Sequence, residues 1–202
     1  MQTLLKLAKI VPLVLSAVAA AFAVGVPLFA LPATLSLPRG QRPGISRLTI
    51  EQAALRLRAD TDRAGWDRVE AARALVGQRM SYSRRNSFDS ADRAFERGYG
   101  YCMQHAYALA HLLDALGFEA QVVQAFQNRF ADGKVASHAW VRVTLDGETR
   151  DIDPLFWDTS AGKPAFTPLS PVTGISPLFK AFTWWGAPAV NAYRYYRTGK
   201  DL

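Results

Sequence analysis

Two periodicities divide the middle of the chain. From Cys102 the small or apolar residues Ala106, Leu109, Ala110 and Leu113 recur at helical spacing as far as Leu116, and Gly117 supplies a C-terminal stop. This predicts a helix with one buried face. Beyond it the pattern shifts: residues 120–126 and 139–145 are rich in β-branched and aromatic side chains and predict strands, with a polar loop over residues 128–136 between them. Asp146-Gly147 is a strong two-residue hairpin signal. With that turn as the loop, Leu145 lies opposite Glu148, Arg142 opposite Asp151, and Trp140 opposite Asp153. Upstream, Thr49 with Gln52 forms a capping-box pattern ahead of a helix ending near Arg58. A second helix is predicted over residues 62–78 and a short one over residues 87–97, ended by Gly98.

The N-terminus has a different pattern. No charge occurs between Lys9 and Arg39, and residues 10–31 are almost wholly apolar, long enough to cross a bilayer as a helix. Ala21-Phe22-Ala23 also offers small residues at the spacing a signal peptidase reads, so the run is a signal anchor or a cleavable signal peptide. Its length favours retention. Lys6 and Lys9 on one side are matched by Arg39, Arg42 and Arg47 on the other, which leaves the charge rule for orientation nearly neutral. An N-terminal apolar segment ahead of one globular domain is most often an export signal. This places the domain outside the cytoplasm, membrane-anchored or, after cleavage, secreted or periplasmic.

The chain thus divides into an anchor or signal segment over residues 1–37 and a Pro/Gly-containing polar linker over residues 38–47. A folded domain follows over residues 48–160, then a C-terminal extension over residues 161–202. Prolines at 168, 171, 177 and 188 interrupt that extension. Its Phe179, Phe182, Trp184, Trp185, Tyr193, Tyr195 and Tyr196 are interleaved with Lys180, Arg194 and Arg197. Such a mixture suits a membrane interface or packing over the core, and packing is slightly favoured.

Candidate chemistry centres on Cys102, the only cysteine of the 202 residues, which excludes an intramolecular disulfide framework. A lone cysteine is usually an inert core residue. This one follows Gly98-Tyr99-Gly100-Tyr101 and opens a helix, where the peptide dipoles favour a thiolate. Of the three histidines, His111 falls nearly opposite Cys102 on the helix and reads as a surface or packing residue. His105 lies near the same face as Cys102, but a helical neighbour aims poorly at a substrate held in front of the helix end. His138, opening the second strand, is the preferred base. In the hairpin register above, Asp153 is its diagonal neighbour, about 7–8 Å away between backbones, a gap that an Asp–His hydrogen bond can span. Asp151 faces Arg142 in an ordinary ion pair and is the fallback.

These residues resemble the transglutaminase-like core, a branch of the papain-like cysteine enzymes. The similar parts are Gly100-Tyr101-Cys102 leading into residues 106–117, then His138-Ala139-Trp140-Val141, then Asp153-Pro154, in the family's order. Tyr101 departs from the Asp or Val that many members carry before the cysteine, which bears on substrate preference. The resemblance implies an α+β fold, with a nucleophile helix packed on an antiparallel sheet that carries His138 and Asp153. Here an N-terminal membrane helix is expected in addition.

The implied activity is that of a membrane-associated cysteine hydrolase or acyltransferase acting on a peptide, protein or other amide substrate. His138 would take the Cys102 proton and Asp153 would hold the ring, giving a thioester acyl-enzyme. The backbone amide of Cys102 is the expected oxyanion donor, and a second is not assigned. Hydrolysis is the default over transfer. The competing class is an inactive, membrane-anchored binding module with the same fold.

Charge and composition narrow the alternatives. The formal charge is +7, but the arginines are interspersed with acids, as in Arg93-Ala94-Phe95-Glu96-Arg97, and no nucleic-acid motif accompanies them. A solvated face near anionic lipid is the simpler reading, and no nucleic-acid partner is expected. Cys102, His105 and His138 could offer three metal ligands, yet a structural zinc site needs four. No metal or cofactor is expected.

Overall fold

The structure, a computed structural model, describes residues 41–176, 189–191, 193–194 and 197–198. The apolar run of residues 10–31 lies outside them, as do Phe179, Phe182, Trp184 and Trp185. Among the described residues no helix is long and apolar enough to cross a membrane.

Helix α1 (Ile50–Ala59) begins at the capping box its sequence predicts: Gln52 N–H donates to Thr49 Oγ1 at 3.2 Å and Thr49 N–H to Gln52 Oε1 at 3.1 Å. Helix α2 (Gly65–Arg79) starts three residues later than predicted. Gly65 enters it at φ 52°, and a right-handed helix cannot extend back through a left-handed residue. Helix α3 (Ala91–Arg97) also starts late. Asn86 at φ 52° and the Asp89 N–H to Asn86 C=O bond make residues 86–89 a turn, and Ser90 then caps the helix. Its predicted stop is present, with Gly98 left-handed at φ 86°.

Two short parallel strands, β1 (Ser81–Tyr82) and β2 (Tyr99–Gly100), lead into helix α4 (Cys102–Ala115). The prediction of one buried face is corrected here: Met103–Ala106, Ala108–Ala110, Leu112 and Leu113 are all buried, leaving only His111 and Asp114 well exposed. The reason is position, because α4 is the central element, packed against α1, α2 and α3 on some sides and the sheet on another.

That sheet has the order β5-β4-β3, built from β3 (Glu119–Phe130), β4 (Val135–Leu145) and β5 (Glu148–Ile152). Ala139, Val141, Val143, Val122 and Ile152 join α4 in the main core. Val123, Ala125 and Trp140 form a second cluster with Phe166 and Val172.

The β4–β5 register is the predicted one, with Leu145 opposite Glu148 and Arg142 opposite Asp151. Asp146 and Gly147 have φ of 52° and 80°, the left-handed pair this turn demands. The polar loop predicted over residues 128–136 is instead mostly strand. A bulge between Ala125 and Asn128 absorbs the irregularity, and the fully buried Asn128 amide donates to the Ala125 and Ala136 carbonyls at 2.9 and 3.2 Å. Side-chain bonds thus hold the strands where the ladder slips.

The remaining strands are β6 (Trp157–Asp158), β7 (Lys163–Pro164), β8 (Phe166–Pro168) and β9 (Thr173–Gly174). The last two pair with the free edge of β3. The sheet therefore runs past residue 160, and Phe166 belongs to its core.

Candidate active site

The site is assembled where α4 begins. Gly98 closes α3 and Gly100 precedes the cysteine, both for steric reasons. A Cβ on Gly100 would lie 2.8 Å from Gln104 Oε1 and 2.9 Å from its Cβ, and one on Gly98 would lie 2.1 Å from Ile45 Cδ1. Gln104 needs that space. Its Oε1 accepts the Tyr101 N–H at 3.2 Å while its Nε2 donates to the Asn86 and Asp89 carbonyls at 3.1 and 2.9 Å. The helix start is thereby bonded to the turn ahead of α3. Cys102, a free thiol at partial exposure, is the first helical residue.

On the sheet side, the buried His138 Nε2 lies 2.5 Å from Asp153 Oδ2, and Asp153 Oδ1 accepts the Leu155 N–H at 2.9 Å. Both carboxylate oxygens are thus fixed. Cys102 also acts on the same imidazole and favours its charged form. Burial works against a charged ring here. The Asp153 hydrogen bond and the negative charge of Asp153 and Cys102 outweigh it and push the His138 pKa up to about 10.

Rings surround the imidazole. Trp140 stacks on it at 6.2 Å, and Phe166, Phe156 and Phe130 meet it edge-on at 5.0, 5.2 and 5.7 Å. With its tautomer set by Asp153 and its plane set by these contacts, His138 has little freedom to turn.

The other candidates are placed apart. Asp151 makes a two-pronged pair with Arg142, at 2.8 and 3.0 Å, as the register predicts. The exposed His111 pairs with Asp92 at 2.7 Å. His105 is fully buried and turns Nδ1 to the Tyr101 carbonyl at 3.1 Å and Nε2 to the Met80 carbonyl at 3.3 Å. Burial depresses its pKa. A neutral ring carries one N–H and so donates to only one of these carbonyls, yet both nitrogens face backbone, at the residue before Cys102 and the residue before β1. Among the described residues no group of three or more His, Cys, Asp and Glu could hold a metal ion.

Sequence reasoning missed Gln104, Phe166 and the β1–β2 pair. The pair is too short to show a period, and Phe166 lies in a proline-interrupted stretch. Gln104 alone left a signal: it stands three residues after the helix cap, the position from which a Gln side chain reaches back to the backbone.

The model of the transglutaminase-like superfamily matches residues 51–154, which include the cysteine, the histidine and both aspartates. The chain belongs to that superfamily. No curated protein matches it. Among solved structures it is similar to a protein from Cytophaga hutchinsonii assigned as a cysteine protease. Identity there is 13% and the TM-score 0.45, over 63% of this chain and 48% of the other. A structure described as a TGase shares 23% identity at a TM-score of 0.42, over 52% of this chain and 30% of the other. LapG of Legionella pneumophila shares 14% at a TM-score of 0.41, over 75% of this chain and 100% of its own. The chain spans about half or less of the first two proteins. The transglutaminase-like domain described here is mixed α and β, with its central helix on an antiparallel sheet.

Proposed function

We propose that this transglutaminase-like domain is a thiol-dependent acyl-transfer enzyme, hydrolytic by default, acting on a peptide, protein or other amide substrate. The observation that carries this reading is the buried 2.5 Å His138–Asp153 hydrogen bond, on a ring whose charged form Cys102 also favours. In this reading His138 holds the proton of Cys102 as imidazolium, with Asp153 balancing the charge. The Cys102 sulfur attacks the acyl carbon, and His138 returns the proton to the departing amine. Water, activated by the neutral ring, then cleaves the thioester. The backbone N–H of Cys102, at the helix start, donates to the oxyanion.

The apolar run of residues 10–31 adds the proposal that the domain is held at a membrane, on its extracytoplasmic side. Activity-based labelling of the thiol, followed by a screen of peptide, isopeptide and amine substrates, tests the chemistry. Cys102 should alkylate faster than free cysteine at mildly acidic pH and His138→Ala should slow it; equal rates would remove the nucleophile assignment. Membrane retention after a high-salt wash tests the tether. Recovery of a soluble form starting near Val24 would show a cleaved signal peptide instead.

A further inference from the structure

Glycine is an unfavourable residue inside a helix, yet Gly77 lies two residues from the end of α2. A packing contact accounts for it. A Cβ at position 77 would lie 2.5 Å from the Pro154 carbonyl oxygen, closer than non-bonded atoms of this kind approach. The bare helix face is thus where the chain rests one residue after Asp153. One turn earlier on α2, the Arg73 guanidinium lies over the Trp157 ring at 4.8 Å.

Neither side of this contact yields freely. On the helix side, Val76 is fully buried, the Arg79 guanidinium group donates to the Phe95, Ser46 and Glu96 carbonyls at 2.8, 3.0 and 3.0 Å, and the Met80 carbonyl faces His105 Nε2. On the other side, proline fixes its own φ, Asp153 is fully buried, and the Leu155 N–H donates to Asp153 Oδ1, closing a turn around Pro154. A push on the Pro154 carbonyl therefore reaches the Asp153 carboxylate, whose other oxygen lies 2.5 Å from His138 Nε2.

We propose that Gly77 is a positioning residue of the site: its bare α2 face lets Pro154 seat at the depth that brings the Asp153 carboxylate within hydrogen-bond reach of His138. This rests on the proposed acyl-transfer reading and adds to it the residue that sets the spacing of base and acid. The β4–β5 ladder determines which residue follows the strand, and the seat determines how close its side chain comes. One residue beyond its end, α2 leads into β1, which pairs with the segment ahead of Cys102. The same helix is in this way joined both to the acid and to the start of the nucleophile helix.

The readout is the pH dependence of Cys102 alkylation by iodoacetamide in the full-length chain, because the thiolate is the reacting form and at mildly acidic pH it persists only beside a charged His138. A displaced Asp153 favours that charge less. Gly77→Ala should therefore lower the rate at mildly acidic pH at least about tenfold, which is about one unit in the thiol's titration, and leave the rate at alkaline pH within about twofold of wild type. In an Asp153→Asn background the same substitution should change neither rate, since it acts through the carboxylate. Arg73→Met loosens the α2 contact with Trp157 without adding an atom at Pro154, and should lower the melting temperature but keep the wild-type profile.

A wild-type profile in Gly77→Ala overturns the proposal, as does an equal slowing at every pH, a further loss in the Asp153→Asn background, or a profile shifted by Arg73→Met. So does a Gly77→Ala chain that does not fold, which would make the glycine a requirement of the core. A wild-type thiol that alkylates no faster than free cysteine overturns the underlying reading, and this one with it.

Discussion

The two hairpins that share β4 deliver the buried partners of the site by opposite means. Between β4 and β5 the ladder is unbroken from Leu145–Glu148 to Val141–Ile152, closed by the left-handed Asp146-Gly147 turn, and Asp153 follows directly. Between β3 and β4 the ladder breaks at the Ala125–Asn128 bulge, and His138 sits opposite Ala125 at its edge. A regular ladder carries register over many residues, so the turn alone fixes where the acid falls. A bulge sets position locally, here through one buried amide. Asp153 is placed by counting and His138 by a side-chain hydrogen bond.

The largest expected effect is at the end of the regular hairpin. Asp153→Asn keeps the shape but removes the charge that favours imidazolium, and an amide need not hold the ring in the same tautomer. Turnover should fall by orders of magnitude, about 10⁴-fold on the precedent of triad acids elsewhere. The measurement is kcat against any amide or ester substrate the screen yields. Near-normal turnover would mean that the carboxylate only fills space.

The irregular hairpin should fail differently. Asn128→Ala leaves the Ala125 and Ala136 carbonyls without their side-chain donor, at a cost of about 1–3 kcal/mol for buried groups. Alkylation of Cys102 should slow as His138 loses its placement. Asn128→Asp should not rescue it, since a carboxylate has no donor to offer. Urea unfolding and iodoacetamide kinetics on both variants check this; unchanged stability in Asn128→Ala would show that the bulge stands without the amide.

What the sequence made legible follows the same division. Features written in local periodicity or turn chemistry could be read: the Thr49–Gln52 box, the Gly98 stop, the Cys102 helix, and the hairpin that sets Asp151 beside Arg142 and Asp153 beside His138. Features set by long-range contact could not. Residues 128–130 read as loop because Asn128 is polar, but its amide bonds to the Ala125 and Ala136 carbonyls across the bulge, a pairing that no periodicity along the chain records. The β1–β2 pair joins two dipeptides, neither of which carries a pattern. His105 is on a helix face that looked available, and only the fold shows Met80 and Tyr101 closing both its nitrogens.

Protonation should separate the hairpins more finely. The His138 pKa is pushed up to about 10 from its ordinary 6.5, so the folded state favours the charged ring. Its contribution to stability is complete below about pH 6.5 and is lost as pH rises through about 10. The stability gap between wild type and His138→Gln should therefore narrow steadily over that window in thermal melts. The Asp151–Arg142 pair, a carboxylate on a guanidinium, should show no such trend. A gap that widens with pH would mean that the ring is neutral in the folded protein.

The smallest effect should come from Asp151→Asn, two residues from the largest. Among the described residues the Asp151 side chain pairs with Arg142, with side-chain exposures of 29% and 37%, so solvent screens the pair and little is desolvated when it forms. Partly exposed cross-strand pairs contribute about 0.2–1 kcal/mol. The loss should shrink further in salt, and turnover should stay near that of wild type because β5 keeps its register through the backbone ladder. Thermal melts at low and high ionic strength, with turnover measured on the same samples, make the comparison. A severe kinetic loss in Asp151→Asn beside mild behaviour in Asp153→Asn would reverse the roles of the two acids and detach function from the hairpin register that places them.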